Sequence, residues 1–339
     1  MVSTMSDPVC GKSTLQDVDD KGAFKRKPTA FRNKIERGGP FPPAKGRYIL
    51  YVSYACPWAS RCLAYRVAKG LEDVVELAVT SPVWAKTKPG VDDHEGWVFD
   101  PSYPGATPDP LGLFKTVRDI YDLSMQNSGH VFETRYTVPI LFDRETKTIV
   151  NNESSEIIRI FNSAFDEFAA HPEVDLSPAA LLPAIDAMNE RTYEPLCNGV
   201  YKCGFAHSQA AYDEAVEGVF LTIDELEELL GHQRYLTGNT VTEADVRVFC
   251  CLVRFDEVYA VHFKCNRRLI RECPNLLEWL RDVYQTLGLA PTVHMKHIKD
   301  HYYRSHGSIN PYHVVPVGSD FVEKLEVPHS RALVFASSS

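Results

Sequence analysis

Arg47-Tyr48-Ile49-Leu50-Tyr51-Val52-Ser53-Tyr54-Ala55-Cys56-Pro57-Trp58-Ala59-Ser60-Arg61 joins an extended run to a helical one, with a single cysteine at the seam. Residues 47–54 are dense in β-branched and aromatic side chains and predict a strand. Pro57 fits the first helical position, where a missing N–H does no harm, and this makes Cys56 the N-cap. A helix over 57–69 and, after Leu71, a second strand over 74–79 complete the β-α-β opening of an α/β unit.

An N-cap is a favourable place for a negative charge, because the first helical amides are unpaired and the helix dipole is positive there. Thiolates so placed have pKa values of about 3.5–7.5 instead of about 8.5. Cys56 is therefore read as a reactive thiol. Most cysteines are small apolar fillers, and that is the reading for Cys62, Cys250 and Cys251, which lie in apolar helical runs. Ala59 stands where a dithiol oxidoreductase would carry its resolving cysteine. Cys62 lies roughly 240° around the helix and about 9 Å along it, so it is no substitute. Cys56 needs a thiol from outside the chain to complete a redox cycle, and glutathione is the natural supplier.

Outward from this seam, residues 1–45 are mixed in charge, rich in Gly and Pro, and read as an irregular N-terminal arm. Residues 80–135 form a long insert with Trp84, Trp97, Phe99 and Tyr103 and one helix near 113–125; its aromatics favour a functional loop over disorder. A hairpin is expected from 136–142 and 148–150. Pro139 would break its ladder unless the strand starts just after it or the Val138–Pro139 bond is cis. A helix over 153–165 closes this part. From 177 the pattern is helical. Ser177-Pro178 reads as an N-cap and N1 pair. Tyr212, Val216, Val219, Ile223, Leu226 and Leu230 mark one face of a helix ending at Gly231, Thr242 to Asp245 reads as a capping box, and another helix runs over 276–287. The expected fold is a thioredoxin-like α/β domain (46–166, with the insert), then an all-α domain (177–310) and a C-terminal tail (311–339).

Composition excludes several classes. The chain has 339 residues and a formal charge of −9, which argues against a nucleic-acid binder built on phosphate contacts. No apolar run approaches the roughly 18–20 residues that span a bilayer, and the N-terminus lacks a signal-peptide stretch while Asp17, Asp19 and Asp20 suit no mitochondrial presequence. A cytosolic protein is expected, in which the Asn152-Glu153-Ser154 sequon goes unused. The nine cysteines show no even framework or paired-ligand spacing, so neither disulfide staples nor a thiolate metal site is expected. Gly11-Lys12-Ser13-Thr14 mimics a phosphate loop but has Ser6 where glycine is required. His294, His297 and His301 share one helix face, read as solvated or structural in place of metal-binding.

The strand–Cys-Pro–helix seam, the Val-Pro before the third strand and the helical second half together resemble a glutathione transferase. More narrowly, YVSYACPWASR, RYTVPILFD, NNESSEIIRIF, LTGNTVTEADVRVF, RFDEVYAVHFKCN and HIKDHYYRSHGSINP resemble the glutathionyl-hydroquinone reductases, the Xi class, over residues 45–318. The resemblance implies glutathione-dependent reduction of glutathionyl-hydroquinones, with glutathione as co-substrate, no metal, no nucleic-acid or membrane partner, and a homodimer. It implies that Cys56 is the nucleophile, that Tyr201 donates the proton, and that Tyr259 and Tyr302 steady the thiolate, with Tyr303 beside Tyr302 leaving that register open. It points to Trp97, Arg135, Tyr136, Thr137, Val138, Glu153 and Ser154 for glutathione; Glu153 and Ser154 also read as ordinary helix-start residues. Competing readings are an Omega-like thiol transferase or dehydroascorbate reductase using the same cysteine, and a non-catalytic ligand-binding module.

Overall fold

The computed structural model describes residues 29–129 and 135–336. Gly11 to Thr14 and Asp17, Asp19 and Asp20 lie outside the described residues. Strand β1 (Tyr48–Val52) is wholly buried and runs into α1 (Pro57–Ala68), with Cys56 as N-cap and proline in the first turn. β2 (Glu76–Val79) returns parallel to β1, pairing Leu50 with Leu77. The insert holds a two-stranded ribbon, β3 (Ala85–Lys86) and β4 (Glu95–Gly96), then α2 (Val117–Ser128). β5 (Ile140–Asp143) lies antiparallel to β1, β6 (Thr148–Asn151) follows, and α3 (Ser154–Ser163) completes the unit. The sheet order is β2-β1-β5-β6.

The helical part comprises α4 (Leu182–Thr192), a π-helical turn at Tyr193–Cys197, α5 (Gly199–Gly204), α6 (Gln209–His232), α7 (Glu243–Leu252), a second π-helical turn at Phe255–Tyr259, α8 (Pro274–Thr286) and α9 (Met295–Ser305). Two short helices, α10 (Phe321–Leu325) and α11 (Arg331–Ala336), end the described chain, and Phe321 and Leu325 are buried. Among the described residues no helix is long and apolar enough to cross a membrane.

Three helix starts differ in instructive ways. α2 begins at Val117, not near Leu113, because Asp109 captures the Leu113 and Phe114 amides at 2.8 and 3.0 Å and holds them in a turn. Thr116 then caps the helix in a reciprocal box with Asp119. Ser177 is not an N-cap. α4 starts at Leu182, because the Ser177 hydroxyl is drawn instead to Glu243 at 3.1 Å. The Thr242 box is present, with Asp245 accepting the Thr242 amide at 2.9 Å. The arm is irregular but not loose over its described part: Phe31, Ile35 and Phe41 are buried in the core, and Arg32 bridges to Asn151 on β6.

Glu243, fully buried, ties the two halves together. It accepts from Arg159 on α3 at 2.8 Å, Asn189 on α4 at 2.9 Å and Arg247 one turn along α7 at 3.2 Å. Partners from three helices satisfy a carboxylate that would otherwise be costly to bury.

Candidate active site

Cys56 sits where the sequence places it, extended at φ −82° and ψ 119°, at the head of α1 with no side-chain cap bond. Its Sγ donates to the Val138 carbonyl at 3.4 Å. Val138 precedes Pro139 through a cis bond, and β5 begins at Ile140 because Pro139 has no N–H for the ladder. Among the eight described cysteines the other seven are buried and Cys56 is half-exposed. Burial raises the Cys62 thiol well above its ordinary value and pushes Cys250 up to about 12, which leaves both protonated, as expected of fillers.

Three tyrosines from the helical half meet in one cluster. Tyr201 on α5 and Tyr302 on α9 share a short hydroxyl–hydroxyl bond, and Tyr259 lies 3.2 Å from Tyr302. Trp58, in the first turn of α1, packs on Tyr201 with ring centroids 5.0 Å apart. The register question resolves geometrically: Tyr303 turns away and donates to the Glu257 carbonyl at 2.9 Å. Burial raises all three clustered phenols above their usual range. For Tyr201 the charges of Tyr302 and Cys56 add to the rise and Arg254 opposes it. The cluster therefore holds neutral phenols, competent as proton donors and not as bases.

The remaining predicted residues lie on the insert, on the approach to Val138 and at the head of α3. Trp97 is nearly buried, tilted against His301 of α9 at 4.5 Å and edge-on to Trp84 at 5.6 Å. Arg135 and Thr137 lie half-buried on the approach to Val138, with the Thr137 amide on the Arg135 carbonyl at 2.9 Å. Tyr136 packs under the Arg118 guanidinium at 5.3 Å. Glu153 caps α3, accepting the Ser155 amide at 3.1 Å, so its helix-start role is real. Ser154 is different. Its hydroxyl is buried with no hydrogen-bond partner among the described residues, at a helix N-terminus suited to a carboxylate.

The histidine face of α9 is structural and not solvated. His297 and His301 are buried and bond to the carbonyls of Pro104 at 2.7 Å and Pro82 at 2.9 Å, while His294 stacks on Tyr54. Among the described residues no cluster of three or more His, Cys, Asp or Glu could hold a metal. Sequence reading missed Arg254, whose guanidinium donates to the Ala55 carbonyl at 2.5 Å and to Ser60 Oγ at 2.9 Å. A lone cation in the apolar run Cys250-Cys251-Leu252-Val253-Arg254-Phe255 was the available signal.

Family models match the chain over residues 55–164 as a glutathione S-transferase N-terminal domain and over 209–282 as the corresponding C-terminal domain. The chain is 46% identical over 322 residues to the glutathionyl-hydroquinone reductase YqjG of Escherichia coli, covering 93% of this chain and 94% of that one. It is 43% identical to the glutathionyl-hydroquinone reductase PcpF of Sphingobium chlorophenolicum, covering 88% and 90%. Among solved structures, the glutathione transferase Xi of Phanerochaete chrysosporium superposes with a TM-score of 0.84 at 45% identity, covering 92% of this chain and 98% of that one. The glutathione-bound structure of E. coli YqjG gives 0.82 at 45% identity, covering 90% and 97%.

Proposed function

This chain belongs to the glutathione S-transferase family, and on that premise we propose that it is a glutathionyl-hydroquinone reductase working through Cys56. The substrates are glutathione and the thioether it forms with a hydroquinone. The observation that carries the reading is a half-exposed thiol at a helix N-terminus, within electrostatic reach of buried neutral phenols.

In the proposed cycle the Cys56 thiolate attacks the sulfur of the aryl thioether. The carbon–sulfur electron pair goes to the ring carbon, which takes a proton from Tyr201, and the hydroquinone leaves. Cys56 is then joined to glutathione by a disulfide. A second glutathione thiolate attacks the glutathionyl sulfur, glutathione disulfide departs and the Cys56 thiolate is restored. Glutathione would pair its cysteinyl backbone with Val138 and set its carboxylate on Ser154 and the first amides of α3. Trp97, Arg135, Tyr136, Thr137 and Glu153 would enclose the rest.

Mass spectrometry tests this directly. Protein exposed to a glutathionyl-hydroquinone without free glutathione should gain one glutathione at Cys56, and Cys56→Ser should gain none and turn over at the uncatalysed level. An adduct elsewhere, or turnover kept by Cys56→Ser, would sink the proposal. A homodimer and a cytosolic setting, implied by the resemblance, are part of the proposal; sedimentation velocity and cell fractionation check them.

A further inference from the structure

Arg254 is 1% exposed, and among the described residues no carboxylate lies within ion-pairing distance of it. A buried cation without a counter-charge is costly, so a folded protein that keeps one has an anion for it in some state. Its surroundings are phenols and thiols: Tyr201 on α5, Tyr259 on the second π-helical turn, Tyr302 on α9, and Cys250 and Cys251 on α7. His301 also faces it and is held neutral by burial, at about 3. Burial disfavours the Arg254 charge, but an arginine stays protonated at any working pH, so the cost of the buried charge remains until an anion forms beside it.

Its hydrogen bonds flank the nucleophile. One Nη holds the carbonyl of Ala55, immediately before Cys56, and the other holds Ser60 Oγ. That hydroxyl in turn donates to the Cys56 carbonyl at 3.1 Å. The α7 end of the helical half thus grips both sides of the Cys56 turn, across 199 residues of sequence.

We propose that Arg254 is the positioning counter-charge for the one negative charge that crosses the site during thioether cleavage. The inference rests on the reductase reading for the direction of that crossing. Before cleavage the charge is on Cys56 sulfur. Cleavage converts thiolate, thioether and neutral Tyr201 into mixed disulfide, protonated ring and a Tyr201 phenolate. Total charge is unchanged, but it has moved from sulfur to oxygen. Arg254 lies between the Cys56 turn and the phenol cluster, so a single fixed cation stabilises both ends, and Tyr302 and Tyr259 can share the phenolate by hydrogen bonding.

The test uses Arg254→Gln, which removes the charge and leaves a neutral amide, beside Arg254→Lys, which keeps the charge. Iodoacetamide alkylation of Cys56, followed by peptide mass against pH, should shift upward by about one pH unit in Arg254→Gln, roughly tenfold less thiolate at neutral pH. Arg254→Lys should stay near wild type. A merely structural role would lower the melting temperature of both variants and leave the midpoint in place, which overturns the proposal. At a pH where Cys56 is fully ionised, Arg254→Gln should still cleave thioether about tenfold slower; recovery to the wild-type rate overturns the phenolate half. Should Arg254→Gln not fold, wild-type protein decides. Carboxymethyl-Cys56 should melt above carbamidomethyl-Cys56, and the reverse order overturns the proposal. Alkylation needs no quinone, so a shifted midpoint in a protein that fails to cleave thioethers would refute the reductase reading and leave the counter-charge standing.

Discussion

Cys56 and Tyr201, the two ends of the proposed site, come from two halves of the chain, and the two sides are built by different means. The Cys56 side is made from backbone: the head of α1, the carbonyl of Val138 and the head of α3 beside Ser154. Such a surface depends on where helices start, a local property that Pro57 and the preceding strand already encode. The Tyr201 side is made from side chains gathered from α5, the second π-helical turn and α9, with Tyr201 and Tyr302 101 residues apart. Only the packing of the helical half brings them together. In the proposed cycle the first side would hold glutathione and the second would supply a proton for carbon.

Breaking the side-chain half while sparing the backbone half gives the largest contrast. Tyr201→Phe removes the proposed acid and keeps the ring against Trp58. Thioether cleavage should fall by about 10²- to 10⁴-fold, the usual worth of general acid catalysis. Exchange of glutathione onto a simple disulfide through Cys56 should stay within a few-fold of wild type. Equal loss of both activities would mean that the tyrosine shapes the pocket and delivers no proton.

The reverse experiment weakens the backbone half. Among the described residues the buried Ser154 hydroxyl has no hydrogen-bond partner, so Ser154→Ala deletes no bond seen there. Its melting temperature should hold or rise. The KM for glutathione should increase about tenfold, the worth of one hydrogen bond to a charged group at about 1.5 kcal/mol. A stability loss with unchanged KM would place the hydroxyl in the fold and remove it from the ligand.

The same contrast explains what the sequence could tell. The Cys56 cap, the break at Pro139 and the Thr242 box are set by neighbours a few residues away, and each is where the residues predict it. Ser177 misleads because a distant carboxylate, Glu243, claims the hydroxyl that local rules assign to a helix start, whereas Leu113 misleads through a local competitor, Asp109 four residues before it, which claims its amide for a turn. His297 and His301 look like a polar face until the carbonyls of Pro82 and Pro104 are brought onto them by the insert. Arg254 was unread for a similar reason: at the end of an apolar helix a lone arginine is ordinary, and its partners lie 199 and 194 residues away. The tyrosines were named through resemblance, since no spacing in the chain predicts that α5 and α9 meet.

Tyr302 and Tyr303 offer the smallest and most discriminating contrast, because adjacent identical residues differ only in where the helix turns them. Tyr302 joins the cluster, while the Tyr303 hydroxyl is committed to the Glu257 carbonyl. Tyr303→Phe should therefore cost about 1 kcal/mol of stability, the net value of one buried neutral hydrogen bond. It should lower the melting point slightly and leave both cleavage and exchange at wild-type rates. Tyr302→Phe should slow cleavage, because it removes the hydroxyl that would share the Tyr201 phenolate, with no comparable loss of exchange. Paired rate and melting measurements on the two variants check this. A cleavage defect in Tyr303→Phe with none in Tyr302→Phe would mean that α9 is rotated by about 100°, one residue's turn of an α-helix, and the side-chain half of the site would have to be rebuilt around the other ring.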